Sequence, residues 1–125
     1  MIIKICGIKN ESTLLCCEKN NVDFFGMIFY KNSPRNISKE KAQYLLELSK
    51  NMNIEGVGVF VDENINSLNR IIEDLALKTV QLHGEEQNDY INILKQNKIK
   101  VIKKISIKYE DDLKEIKKFD NADYL

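Results

Sequence analysis

The thirty residues EGVGVFVDENINSLNRIIEDLALKTVQLHG, Glu55 to Gly84, decide the fold. They open on an apolar, β-branched run, EGVGVFVD, which reads as a strand. Ile65, Leu68, Ile71, Ile72 and Leu75 then recur at steps of three and four, which is one face of a helix. A second β-branched run, TVQLHG, follows at once. Strand, helix and strand joined by short loops imply two parallel strands linked by a right-handed crossover.

The same unit repeats in both directions along the chain. Toward the N-terminus, IIKICGI and FFGMIFY are strand-like. Each precedes a helical segment: one capped by Asn10 or Ser12 and carrying Leu14, Leu15 and Cys17, the other capped by Ser38 and carrying Ala42, Leu45, Leu46 and Leu48. Toward the C-terminus come the helix EQNDYINILKQN, the strand KVIKKISI and the helix EDDLKEIKKF, whose acidic start and basic end suit the helix dipole. Residues 1–125 therefore read as one domain. Five strand–helix units are followed by ADYL, Ala122 to Leu125, the expected start of a sixth strand.

Two architectures accommodate such a pattern, an open doubly wound sheet and a (β/α)8 barrel. Central strands of a doubly wound sheet are apolar on both faces. Here Lys4 and Cys6 share one face of the first strand, opposite Ile3 and Ile5. Gln81 and His83 share one face of the fourth, opposite Val80 and Leu82. One polar-tolerant face per strand suits the mouth of a barrel. The expected fold is thus α/β, a (β/α)8 TIM barrel that is incomplete in this chain. A barrel of eight units needs about 200 residues or more, so the chain is expected to be a fragment, inactive alone. A flavodoxin-like binding module is the non-enzymatic alternative.

Composition narrows the function classes. Of 125 residues, 43% are hydrophobic and 30% charged, and Lys plus Arg and Asp plus Glu both number 19. That balance gives no long-range attraction to nucleic acid or to an anionic membrane. Cys6, Cys16 and Cys17 form neither a metal-ligand spacing nor a disulfide framework, which fits a reducing cytoplasm. MIIKIC is broken by Lys4 and lacks the apolar core of a signal peptide, and no run approaches membrane-spanning length.

Active sites of barrels lie at the C-terminal ends of the strands, so the residues closing each run are the candidates. An isolated cysteine is ordinarily a small buried hydrophobe. Cys6, however, closes a strand beside Gly7 on the face of Lys4, and a cation near a thiol favours the thiolate, which can accept a proton. Arg35 is one of only two arginines among 17 lysines. In a Ser-Pro turn at a strand end it suits bidentate recognition of a carboxylate or phosphate. His83, the single histidine, is either a backbone-bonded strand-end residue or a substrate contact. Asp62 also closes a strand, whereas Asp111 and Asp112 fall where helix capping is the simpler role. With one histidine and no cysteine cluster, no metal site is expected.

Four blocks, KICGI from Lys4, GMIFYKNSPRNIS from Gly26, VGVFVDE from Val57 and VQLHGEE from Val80, resemble in order and spacing the phosphoribosylanthranilate isomerase family of tryptophan biosynthesis. The resemblance runs through essentially the whole chain. It implies a cofactor-free, metal-free barrel that converts N-(5′-phosphoribosyl)anthranilate to 1-(2-carboxyphenylamino)-1-deoxyribulose 5-phosphate by an Amadori rearrangement. By this resemblance Cys6 is the general base, Arg35 holds the anthranilate carboxylate, and His83 and Gln81 line the substrate pocket. The family's general acid, an aspartate closing the sixth strand, lies beyond Leu125, and Asp123 matches only that strand's start. Another phosphosugar barrel, such as an indole-glycerol-phosphate synthase or a ribulose-phosphate epimerase, is the enzymatic alternative, disfavoured because its signature residues differ.

Overall fold

The computed structural model describes all 125 residues. Five strands, β1 (Lys4–Cys6), β2 (Phe24–Ile28), β3 (Glu55–Phe60), β4 (Thr79–Leu82) and β5 (Lys100–Lys103), alternate with four helices, α1 (Glu11–Lys19), α2 (Lys39–Ser49), α3 (Ile65–Leu75) and α4 (Asn88–Gln96). The strands form one parallel sheet in sequential order, β1 to β5. That order excludes the flavodoxin-like alternative, whose first strand lies inside the sheet with helices on both faces. When each right-handed crossover steps to the next strand in the same direction, every helix falls on one face, which is the winding of a barrel.

Local chemistry sets where the helices start. The Asn10 side chain accepts the Thr13 N–H at 2.9 Å, and the Ser38 hydroxyl accepts the Lys41 N–H at 3.3 Å. Asn64 does the same for α3, accepting from Asn66 and Ser67. Such caps satisfy N–H groups that a helix cannot pair internally. The inward stripe of α3, with Leu68, Ile72 and Leu75 buried, meets the outer face of the sheet. There Phe25, Met27, Phe60, Val80, Leu82 and Val101 complete the main core.

The opposite, concave face is different. Register places Cys6 beside Gly26, Gly26 beside Val57, Val59 beside Gln81, and Gln81 beside Ile102. A small apolar group of Phe24, Val57 and Ile102 lies here, with Tyr124 packed edge-on to Phe24. Lys4 of β1 donates to Gln81 Oε1 of β4 at 2.8 Å. Three strand spacings of a flat sheet are ~14 Å, farther than the two side chains reach, so the sheet must curl.

Two expectations are amended. The segment Glu110–Phe119 is wound as a 3₁₀ helix, not an α-helix. Long 3₁₀ runs have poorer hydrogen-bond geometry than α-helices. The packing that would favour the α register is weak here: Leu113 and Ile116 remain exposed and only Phe119 is buried. Its start is capped as the sequence suggests, with the Asp112 carboxylate accepting the N–H groups of Lys108 and Tyr109. The strand expected over KVIKKISI is also shorter, Lys100–Lys103, and Lys103 at its end is buried. The expected sixth-strand start does pair with β5, through a parallel bridge between Ile102 and Tyr124.

Candidate active site

The C-terminal ends of β1 to β4 enclose a cavity of ≈ 660 Å³ on the concave face. Lys4, Cys6, Arg35, Gln81 and His83 supply much of its polar lining, over a floor that includes Ile28 and Val59. No carboxylate lines it.

The β1 end is held by backbone geometry. Gly7 has φ of +86°, a conformation L side chains rarely adopt, and its N–H and that of Ile8 both donate to the Gly26 carbonyl at 2.9 Å. This turn directs the chain away from the barrel immediately after Cys6. The loop after β2 then folds back on its own strand, with the Ile37 N–H donating to the Ile28 carbonyl at 2.9 Å. As a result Arg35 crosses above Gly7, where a Cβ would come within 2.6 Å of the arginine Cδ, and its guanidinium donates to the Cys6 carbonyl at 3.0 Å. One contact fixes the guanidinium and leaves the rest of its fork to the cavity.

Gly26 has a second role. A Cβ there would sit 2.8 Å from Lys4 Nζ and 3.0 Å from Cys6 Sγ. The absent side chain is the space in which ammonium and thiol become neighbours. Lys4 has no carboxylate partner within ion-pair distance, only the Gln81 amide oxygen. His83 stands at the mouth, exposed on one side. Partial burial holds its pKa below the ordinary imidazole range, reinforced by the charges of Lys104 and Lys4 and opposed by that of Glu86. The neutral ring therefore predominates at pH 7.

The four residues expected from the sequence, Cys6, Arg35, Gln81 and His83, thus meet at one cavity. Asp62 does not join them: its carboxylate accepts the Glu85 N–H at 2.6 Å and lies against Gly84. Asp123 is also engaged elsewhere, accepting from Lys95 at 2.5 Å and from the Val101 N–H at 2.8 Å. The sequence reading missed the buried Glu86–Lys103 pair behind His83, with Nζ to Oε2 at 2.8 Å. Strand alternation carried the signal, since Lys103 follows Val101 on the helix-facing side of β5.

Fold and cavity together define a strand-first (β/α)-barrel protein with its site at the C-terminal strand ends. The family model described as N-(5′-phosphoribosyl)anthranilate (PRA) isomerase matches residues 3–125, and the chain belongs to that family. An N-(5′-phosphoribosyl)anthranilate isomerase of Campylobacter jejuni is 38% identical over 112 residues, covering 90% of this chain and 56% of that one. The crystal structure of the phosphoribosyl anthranilate isomerase of Thermotoga maritima superposes with a TM-score of 0.85 at 32% identity, covering 93% of this chain and 56% of that one. A phosphoribosyl anthranilate isomerase in complex with reduced 1-(o-carboxyphenylamino)-1-deoxyribulose 5-phosphate gives 0.86, at 32% identity and coverage of 93% and 59%. The chain spans little more than half the length of these proteins.

Proposed function

We propose that this chain forms the base-bearing part of an isomerase that rearranges N-(5′-phosphoribosyl)anthranilate into 1-(2-carboxyphenylamino)-1-deoxyribulose 5-phosphate in the cytoplasm. The observation that carries the reading is the thiol of Cys6 beside the Lys4 ammonium, beneath a guanidinium, in a cavity of substrate size.

The chemistry assigns the roles. A proton delivered to the ribose ring oxygen lets the C1′–O bond break, with the anilino nitrogen supplying electrons to form an iminium. A base then removes the C2′ proton, giving an enolamine that returns as the ketone when C1′ takes up a proton. Substrate and product are isomers, so the rearrangement needs no external oxidant or reductant. In our assignment Cys6 removes the C2′ proton. Arg35 receives the anthranilate carboxylate with a fork-shaped donor set, and Gln81 and His83 line the sugar pocket. No carboxylate lines the cavity of this chain; by the family resemblance, the proton for ring opening comes from an aspartate that closes the sixth strand.

A chimera of residues 1–125 with the remaining strands of the Campylobacter jejuni relative tests the assignment. It should consume phosphoribosylanthranilate, followed by anthranilate fluorescence, and Cys6→Ala should lower turnover by at least ~10²-fold, the scale of a lost general base. Full activity of that variant would remove Cys6 from the role.

A further inference from the structure

Glu86 and Lys103 are buried to 2% and 3% side-chain exposure, and the proposed chemistry uses neither. Burying two charges costs several kcal/mol of desolvation per ion, and apolar residues of the same size commonly replace such pairs without loss. What distinguishes this pair is where its remaining hydrogen bonds go. Glu86 Oε1 accepts the Asp62 N–H at 2.9 Å, beyond the end of β3. Lys103 Nζ donates to the Gly84 carbonyl at 2.7 Å, beyond the end of β4. Asp62 has φ of +48°, a left-handed conformation uncommon for residues other than glycine, asparagine and aspartate, and it is the N–H of this turn that Glu86 holds. Asp62 in turn accepts the Glu85 N–H, and Gly84 leaves it the room.

His83 lies in the middle of this arrangement. Its own N–H donates to the Phe60 carbonyl at 2.9 Å, and the next residue's carbonyl is the one that Lys103 holds. We propose that Glu86 and Lys103 are positioning residues, a buried clamp across the ends of β3, β4 and β5 that fixes the His83 imidazole at the cavity mouth. The functional value of the clamp rests on the assignment of His83 to the substrate pocket; the clamp itself does not.

The test exploits His83 being the only histidine, which makes its imidazole resonances unambiguous in a proton NMR spectrum of the 125-residue chain. In Glu86→Leu/Lys103→Met both charges are removed together and volume is roughly kept. The imidazole signals should shift or split, and the Asp62 and His83 amides should exchange at least tenfold faster, with the Gly7 and Ile8 amides at the far side of the cavity unchanged. A folded double variant with the native His83 signals and exchange rates would overturn the proposal, as would a uniform rise in exchange across all strands. If the double variant does not fold, Glu86→Gln, which keeps an acceptor for Asp62 but leaves Lys103 unpaired, is read in the same way: displaced His83 signals support the clamp and unmoved ones overturn it. An inactive wild-type chimera would count against the isomerase reading alone, because the NMR readouts do not depend on turnover.

Discussion

Lys4 Nζ and Cys6 Sγ share the space above Gly26, and the proposed role of Cys6 as base depends on that space staying empty. A methyl group there would also meet the Cys6 Cα at 3.2 Å, so the neighbouring backbone has to give along with the two side chains. Gly26→Ala in the chimera is therefore expected to lower kcat/KM by at least tenfold, ~1.4 kcal/mol in the barrier. The thermal midpoint should move by only a few degrees. The paired measurement of kcat/KM and Tm separates displacement of the thiol from loss of fold. Arg35→Lys should raise KM more than it lowers kcat, because an ammonium keeps the charge but loses the planar fork. Steady-state kinetics across substrate concentration distinguishes the two.

Elements hold the site through their ends and their buried faces. Leu68 is fully buried where α3 meets the sheet. Leu68→Ala should cost about 2–5 kcal/mol in urea unfolding, from lost transfer energy and the cavity left behind. Asn64→Ala, which removes the cap of the same helix, should cost about 1 kcal/mol. The segment after the 3₁₀ helix is fastened by Asp123. Burial works to raise its carboxyl pKa, but hydrogen bonds from Lys95 and the Val101 N–H, with the charges of Lys95 and Lys100, outweigh this and lower it. A lowered folded pKa gives stability that is present above the ordinary carboxylate range and is lost as pH falls through the folded value. His83 acts in the same direction, since a base with a depressed folded pKa is protonated more readily once unfolded, and stability falls as pH drops below ~6.5. Urea midpoints measured from pH 7 to pH 3 should decline, and Asp123→Asn should flatten the lower part of that decline.

The whole molecule is a curled sheet with two open sides. β1 pairs only with β2, and Tyr124 makes only an isolated bridge to β5. Ile2 and Leu125 are each 57% exposed near these edges, and Ile5 in the edge strand is 42% exposed. Unpaired edges and uncovered apolar side chains template association. The 125-residue chain alone should therefore self-associate as its concentration rises, seen as a rising weight-average mass in sedimentation equilibrium. In the chimera, with the edges covered, that rise should disappear.

Much of this organisation is local and can be read directly along the chain. The α3 stripe from Ile65 to Leu75, the caps at Asn10 and Ser38, and the alternation around Cys6 and Gln81 follow from side-chain periodicity and hydrogen-bonding groups a few residues apart. Tertiary structure alone decided what lies side by side. Sequential strand order put every helix outside, curling carried Lys4 across to Gln81, and a folded-back loop laid Arg35 over Gly7. The 3₁₀ winding of Glu110–Phe119 and the burial of Lys103 against Glu86 were also settled there. Each depends on which distant atoms supply packing or a counter-charge, and no periodicity within a segment encodes that.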